Sequence, residues 1–250
     1  MGSLAHWEKN LAKVGWFIPP YMQMGAIAEI AAKIELADGK FTQPELEGAL
    51  ARLYEPFGLA AMVLHRYPFV PFIQDYKITI REAVEANFLG LDHVAIGGLL
   101  PVIEGAGRLL AKQRGLTVKR TRDLLPSLAD DCKKESVEKQ IGATEEIVSM
   151  MNAFARFARD SFFVDSGQYP FGDGTNRNGT VHGKYSDAAY GAPINFYKTI
   201  AAVDFLTFIA SFRARVSWLG PDTTPASINL AWYYERLKQI RAMRPPCDTP

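Results

Sequence analysis

Apolar residues recur along most of the chain at intervals of three and four positions. Leu46, Leu50 and Leu53 follow this spacing, and so do four apolar residues between positions 147 and 158. Because an α-helix turns once every 3.6 residues, residues so spaced lie on one helix face and can be buried together. Strictly alternating patterns, which are typical of half-buried strands, are scarce. The sequence therefore predicts an all-α fold, organised as a helical bundle.

Capping sequences predict where two of the helices begin. Thr42 and Glu45 have the spacing of a capping box, in which each side chain satisfies a free backbone N–H of the first turn. Thr79 and Glu82 have the same spacing, and they predict a helix that runs to about Leu89.

Prolines predict further boundaries. Pro101 interrupts an apolar segment, which indicates either a kink or a new helix with the proline in its first turn. Pro193 predicts the start of a long helix that ends near Gly220, and residues 226–243 form the last predicted helix. Residues 164–192 are rich in Gly, Asp, Asn, Ser and Tyr, and predict a long irregular segment of the kind that often carries function.

A break in composition near residues 67–75, with prolines at 68 and 71, suggests a division of the chain. We expect an N-terminal helical extension over residues 1–70, the main bundle over residues 71–243, and a flexible tail over residues 244–250. A length of 250 residues is compatible with one large domain or two small ones.

The composition excludes several classes of protein. Apolar residues make up 48% and charged residues 22%, so extensive disorder is not expected, and the net charge of +1 excludes nucleic-acid binding by overall charge. The two cysteines, Cys132 and Cys247, predict no disulfide framework. We find no signal peptide, and the longest apolar stretch, residues 193–212, is interrupted by Lys198 and Asp204. We therefore expect a cytoplasmic protein without a membrane span.

The segment from Arg177 to Gly183 holds the strongest candidate chemistry. In a helix, Asn178 and His182 lie on the same face, four residues apart, and the long side chain of Arg177 can reach the same point. Thr175 or Asn176 can cap the first turn, and Gly183 suits the left-handed residue that ends a short helix. Arginine donates paired hydrogen bonds to phosphate oxygens, and histidine transfers protons near neutral pH. This set of side chains therefore favours chemistry on a phosphodiester.

The run Arg177-Asn178-Gly179-Thr180-Val181-His182-Gly183 resembles the signature of the HEPN superfamily, in which an arginine, a polar residue and a histidine lie late in an α-helical bundle. Leu99 to Gly105, followed by Arg108, resembles an early helix of HEPN-like bacterial proteins. The resemblance covers about residues 73–216.

The resemblance implies a HEPN-like bundle and a metal-independent endoribonuclease that needs no cofactor. Such proteins act as dimers in toxin–antitoxin, abortive-infection or RNA-processing systems, so RNA, a second copy and an antitoxin or regulatory protein are the implied partners. Arg177 and His182 would then be catalytic, with Asn178 beside them. Other members of the superfamily bind nucleotides or proteins without catalysis, and this alternative stays open.

Several other residues have two interpretations. Glu104 can pair with Arg108, one turn later, or it can hold Arg177 or His182 in place. Tyr190 can stack on a base beside the motif or pack within the loop. Three loop acids could bind a divalent cation, but their spacing matches no calcium loop and favours turns; they are Asp165, Asp173 and Asp187. We therefore take Glu104, Asn176 and Tyr190 as supporting residues and predict no metal site.

Overall fold

Helices make up the regular structure of residues 4–245, the part of the chain that the computed structural model describes, and no strand occurs there. The predicted all-α class is confirmed. In chain order the α-helices are α1 (Ala5–Ala12), α2 (Met24–Leu36), α3 (Gln43–Leu53), α4 (Pro56–His65), α5 (Lys77–Phe88), α6 (Asp92–Gln113), α7 (Leu124–Lys139), α8 (Thr144–Phe157), α9 (Arg177–Val181), α10 (Pro193–Ser211) and α11 (Pro225–Met243).

The capping prediction is right for α3 and wrong for α5. Thr42 accepts a hydrogen bond from the backbone N–H of Glu45, whose carboxylate accepts one from the N–H of Thr42 at 2.7 Å. In contrast, α5 begins at Lys77, so that Thr79 lies inside the helix and caps nothing. The preceding turn, Gln74–Tyr76, already supplies a helical start, and it overrides the local capping sequence.

Prolines at two predicted boundaries have different outcomes. Pro193 does open α10, but the helix ends at Ser211, well before Gly220. Pro101 lies inside α6, which continues to Gln113, so the alternative that Pro101 opens a new helix is wrong. Its missing N–H leaves the carbonyl of Gly97 without the usual helical partner.

The helix that meets the length and composition of a membrane span is α6, whereas the sequence-based candidate was residues 193–212. Within residues 4–245, α6 alone is long and apolar enough to span a membrane, and 56% of its most apolar 18-residue stretch is buried inside the protein. A buried core helix passes the same test, so this finding does not by itself indicate a membrane protein. Residues 193–211 form α10, which is buried along nearly its whole length.

One hydrophobic core joins the two parts of the chain that the sequence suggested. α10 packs against α3 and α6, while α1 packs against α8 and α4 against α11. The buried core extends from Leu4 to Leu237. Within the described residues, the N-terminal helices therefore have no core separate from that of the later helices, because their apolar faces are covered by α8, α10 and α11.

The predicted tail begins at Arg244, the first residue after α11. Arg244 donates a hydrogen bond to the carbonyl of Gly90 at 3.3 Å, and residues 246–250 lie outside the described residues. Cys247 lies there too, while Cys132 is a buried free cysteine on α7.

Candidate active site around Arg177 and His182

The short helix α9 begins at Arg177, and of the two caps that the sequence allowed, Thr175 and Asn176, the structure has Asn176. The side-chain oxygen of Asn176 accepts a hydrogen bond from the backbone N–H of Gly179 at 2.7 Å. Gly183 has φ +63°, the left-handed conformation predicted for the residue that follows a short helix. The cap and the glycine confine the helix to Arg177–Val181, with His182 as the residue at its C-terminal end.

Two asparagine amides attach α9 to the end of α8. The chain continues from α8 through a π-helical turn, Ala158–Phe162, and the carbonyls at such an end lack helical partners. Asn176 donates to the carbonyls of Ser161 and Val164, both at 2.9 Å. Asn178 donates to Phe163 at 2.9 Å and to Val164 at 3.2 Å. Both amide groups therefore have a structural role, which Asn178 combines with a contact to Arg177.

Arg177 is the centre of the site. Its Nε donates to a carboxylate oxygen of Glu104 on α6, 73 positions earlier in the chain, in a salt bridge whose side chains are both mostly buried. Its Nη1 lies 3.3 Å from Oδ1 of Asn178 and 3.0 Å from Nε2 of His182. The three side chains of the motif therefore converge, as the spacing predicted.

The contact between Arg177 and His182 identifies the histidine tautomer. A guanidinium can only donate, so Nε2 of His182 must be the acceptor in this arrangement, and the neutral ring carries its proton on Nδ1. The imidazole is exposed at the end of α9.

The simpler sequence prediction for Glu104 is wrong. Arg108 donates to the hydroxyl of Thr121 at 2.9 Å and does not pair with Glu104. Glu104 instead holds Arg177, which was the alternative. The carboxylate neutralises the guanidinium and fixes its Nε edge, which leaves the other edge for Asn178, His182 and any ligand.

Within the described residues, Tyr190 makes no hydrogen bond and no ring contact with Arg177 or His182. Its ring lies edge-on to the ring of His93 on α6, with centroids 4.8 Å apart. His93 also reaches the carbonyl of Asp187 at 3.2 Å. The packing interpretation of Tyr190 therefore agrees with its position, and the tyrosine supports the loop rather than the arginine–histidine pair.

A buried ion pair anchors the loop from the other side. Lys198 on α10 donates to Asp173 at 2.9 Å, to Gln43 at 3.1 Å and to the carbonyl of Val14 at 3.3 Å. The three acceptors match the three N–H groups of an ammonium. Burial lowers the pKa of Lys198, and the charge of Asp173 and the hydrogen bond to it oppose this shift. Burial by itself would raise the pKa of Asp173, but the charge of Lys198 and the hydrogen bonds from Thr175 and Tyr169 hold that pKa below its usual value.

The three loop acids have different roles. Asp173 lies in a turn, as predicted, and its carboxylate is also buried in this ion pair. Asp165 accepts a hydrogen bond from the N–H of Gly167 at 2.9 Å and does form a turn. Asp187 lies in another turn. Within residues 4–245, no group of three His, Cys, Asp or Glu residues is placed to hold a metal ion.

Gly179 has a packing role that its sequence context did not reveal. A Cβ at this position would lie 2.3 Å from the ring of Tyr185. The glycine lets this ring cover α9, and the hydroxyl of Tyr185 then reaches the carbonyl of Ser166 at 3.2 Å. Glycine destabilises a helix relative to alanine, and the packing of the Tyr185 ring explains why a glycine nevertheless occupies position 179.

Sequence reasoning missed the anchors of the loop on α10. Asn195 accepts hydrogen bonds from the N–H groups of Gly191 and Ala192, and donates to Thr175 and to the carbonyl of Asp173. The signal was present, because a lysine and an asparagine within an apolar helix need buried partners. The partners themselves lie in the irregular loop, where no periodic pattern points to them.

Comparisons of the chain with protein-family models, with curated proteins and with solved structures give no match. The resemblance to the HEPN superfamily therefore depends on the motif itself.

Proposed function

We propose that this protein is a metal-independent endoribonuclease of the HEPN type, which acts through Arg177 and His182. The observation that carries the proposal is the 3.0 Å contact between the guanidinium of Arg177 and Nε2 of an exposed histidine. Side chains that grip phosphate and transfer protons thus meet at one accessible point of the surface.

The remaining bonding capacity of Arg177 supports phosphate binding. Glu104 engages Nε, while Asn178 and His182 engage Nη1. Nη2 has no hydrogen-bond partner within residues 4–245. It is also not one of the polar atoms there that are both unpartnered and sealed from solvent. It can donate to a phosphate oxygen without breaking a contact that holds the arginine in place.

The chemistry needs no group beyond RNA and protein. Once Nη1 of Arg177 has turned from Nε2 of His182 to the phosphate, Nε2 takes the proton of a ribose 2′-hydroxyl as that oxygen attacks the adjacent phosphorus. The bond from phosphorus to the 5′-oxygen breaks, and this oxygen takes a proton from a second imidazolium. The products are a 2′,3′-cyclic phosphate and a 5′-hydroxyl. Because the motif has one histidine, a symmetric dimer supplies the second one.

The test is cleavage of RNA by the purified protein in the presence of a chelator, with analysis of the product ends. We expect 2′,3′-cyclic phosphate ends from the wild type, and His182→Ala should lower the rate at least about 100-fold. His6→Ala, at an exposed histidine paired with Glu35, is the matched control and should cleave as the wild type does. Intact RNA with the wild type, or equal cleavage by His182→Ala, would refute the proposal.

One observation favours a second function, a non-catalytic module that binds a nucleotide or a partner protein. Arg177 is already neutralised by Glu104, and the acceptor nitrogen of His182 is already engaged by Arg177. Such a pair is stable without a substrate. Binding of a nucleotide that Arg177→Gln abolishes, together with the absence of RNA cleavage, would identify this function.

A further inference from the structure

A cavity of about 420 Å³ lies far from the motif in sequence, among the N-terminal helices. It is bounded by α2, α3, α4 and the Gly220–Pro221 segment, and none of its lining residues belongs to the irregular loop at 164–192. Its volume is in the range that binds small organic molecules. The lining is mostly apolar and includes Ala26, Ile30, Ala49, Leu53, Leu59 and Met62.

One carboxylate at the wall of this cavity lacks a full set of partners. Asp204 on α10 is buried, and its Oδ1 accepts a hydrogen bond from the hydroxyl of Tyr67 at 2.7 Å. Its Oδ2 has no hydrogen-bond partner, and Asp204 forms no ion pair, within residues 4–245. A buried carboxylate without a cationic partner is costly, so its presence at a cavity wall indicates an unfilled bonding site.

A second polar group nearby is also unpartnered. The hydroxyl of Tyr54, another lining residue, is buried and makes no hydrogen bond in the described structure. Arg66, a buried cation whose charge acts on Asp204, does not supply either partner, because its donors go to neutral oxygens of Tyr21, Thr207, Ser211 and Ser217. The hydroxyl of Tyr54 is sealed from the cavity, so the unpartnered oxygen of Asp204 is the polar group that matches a ligand with an apolar body and one polar head.

The charges of the lining residues identify the sign of that head. The acidic residues are Glu29, Glu55 and Asp204, and the one basic residue among the lining side chains is Arg52. Glu29 is already paired with Lys33 at 2.6 Å, so the unpartnered oxygen of Asp204 is the group that favours a cation. Burial raises the pKa of Asp204 to about 7, despite the hydrogen bond from Tyr67 and the charge of Arg66. A cationic head would restore the charged form of this carboxylate.

We propose that this cavity binds a small apolar primary amine, whose ammonium group pairs with Oδ2 of Asp204 while its hydrocarbon part contacts the apolar walls. The site is independent of the proposed ribonuclease activity, since it shares no residue with the motif or with the loop that carries it.

The test measures binding of hexylamine to the full chain by calorimetry, with hexanol as the neutral comparison. We expect hexylamine to bind with a Kd of about 1 mM or tighter, and hexanol at least about 10-fold more weakly. Asp204→Asn keeps an oxygen that can accept from Tyr67, and it should remove the preference for the amine.

A second variant blocks the cavity without changing its polar groups. Gly58 lies on the cavity wall at an exposed position of α4, where a Cβ would meet no atom within 4 Å. Gly58→Leu should therefore fold normally and lower hexylamine binding at least about 10-fold by filling the opening. Gly48→Leu is the matched control, since Gly48 is an exposed glycine of α3, also free of nearby atoms, that does not line the cavity.

The outcomes separate clearly. Amine binding that Gly58→Leu weakens and Gly48→Leu leaves unchanged supports the site, and loss of the amine preference in Asp204→Asn supports the role of the carboxylate. Equal binding of hexanol and hexylamine to the wild type would overturn the proposal, as would the absence of hexylamine binding at concentrations of several times about 1 mM.

Discussion

At the residue scale, the candidate site combines local and distant contacts in one guanidinium. Asn178 and His182 reach Arg177 from the same short helix, whereas Glu104 reaches it from α6. The charge of Glu104 holds the arginine in one orientation while leaving its outer edge unoccupied. This preorganisation lowers the entropic cost of binding a phosphate, because the arginine side chain loses little conformational freedom when the ligand binds.

The close contact at Gly179 reverses the usual effect of replacing a helical glycine. Alanine in an exposed helix is more stable than glycine by about 1 kcal/mol, but at position 179 its Cβ would lie 2.3 Å from the ring of Tyr185. We therefore expect Gly179→Ala to lower the free energy of unfolding by about 1–3 kcal/mol, measured in urea.

Two variants test this explanation. Gly48→Ala, where a Cβ would meet no neighbour, should raise the stability by about 0.5–1 kcal/mol. Adding Tyr185→Ala to Gly179→Ala should recover most of the loss due to the clash. A stabilising effect of Gly179→Ala by itself would show that the ring of Tyr185 does not constrain the helix.

At the element scale, α10 links the core to the loop that carries the motif. It is buried along nearly its whole length, and its polar side chains Asn195 and Lys198 bond to Asp173 and Thr175. Loops depend on such bonds because they lack the repeated hydrogen bonds of a helix or sheet. The position of α9 thus depends on buried polar groups on α10 as well as on the two asparagines.

Removing the charge of Lys198 should therefore destabilise the protein and release the loop. Lys198→Met leaves Asp173 as a buried carboxylate without its cation, and we expect a loss of about 3–5 kcal/mol in urea unfolding. Lys238→Met, at a surface lysine paired with Glu235 on α11, should change the stability by less than about 0.5 kcal/mol.

A double variant checks that the loss comes from the unpaired carboxylate. Asp173→Leu combined with Lys198→Met should be more stable than Lys198→Met alone, because no buried charge is left without a partner. Equal stability of the single and double variants would contradict this account of the pair.

At the scale of the whole molecule, buried carboxylates influence how stability depends on pH. Asp204 faces Tyr67, Tyr54, Tyr21 and Arg66, and burial raises its pKa to about 7. In the unfolded chain the same carboxyl titrates near 4. Between these two values the folded state holds a proton that the unfolded state has lost, so stability falls as pH rises through this window.

We expect this fall to be smaller in Asp204→Asn. Urea unfolding of the wild type at pH 4.5, 5.5 and 6.5, within the window of about 4 to 7, should show a contribution that decreases with pH and is absent from the variant. Burial also raises the pKa of Asp92, to about 6, so a part of the fall should remain. Parallel pH profiles for the wild type and Asp204→Asn would show that Asp204 does not titrate as proposed.

The sequence by itself determined the helical class, the capped start of α3, the position of α11 to within one residue, and the local form of the motif, from a cap at Thr175 or Asn176 to the left-handed Gly183. These features depend on neighbours within about one helical turn, so the order of residues is sufficient to specify them. Only the tertiary structure decided that Glu104 pairs with Arg177 rather than Arg108, that Asp173 is buried with Lys198, and that Asp204 borders a cavity. Each of these pairings joins separate segments of the chain, and packing of the helices, not sequence spacing, determines which side chains meet there.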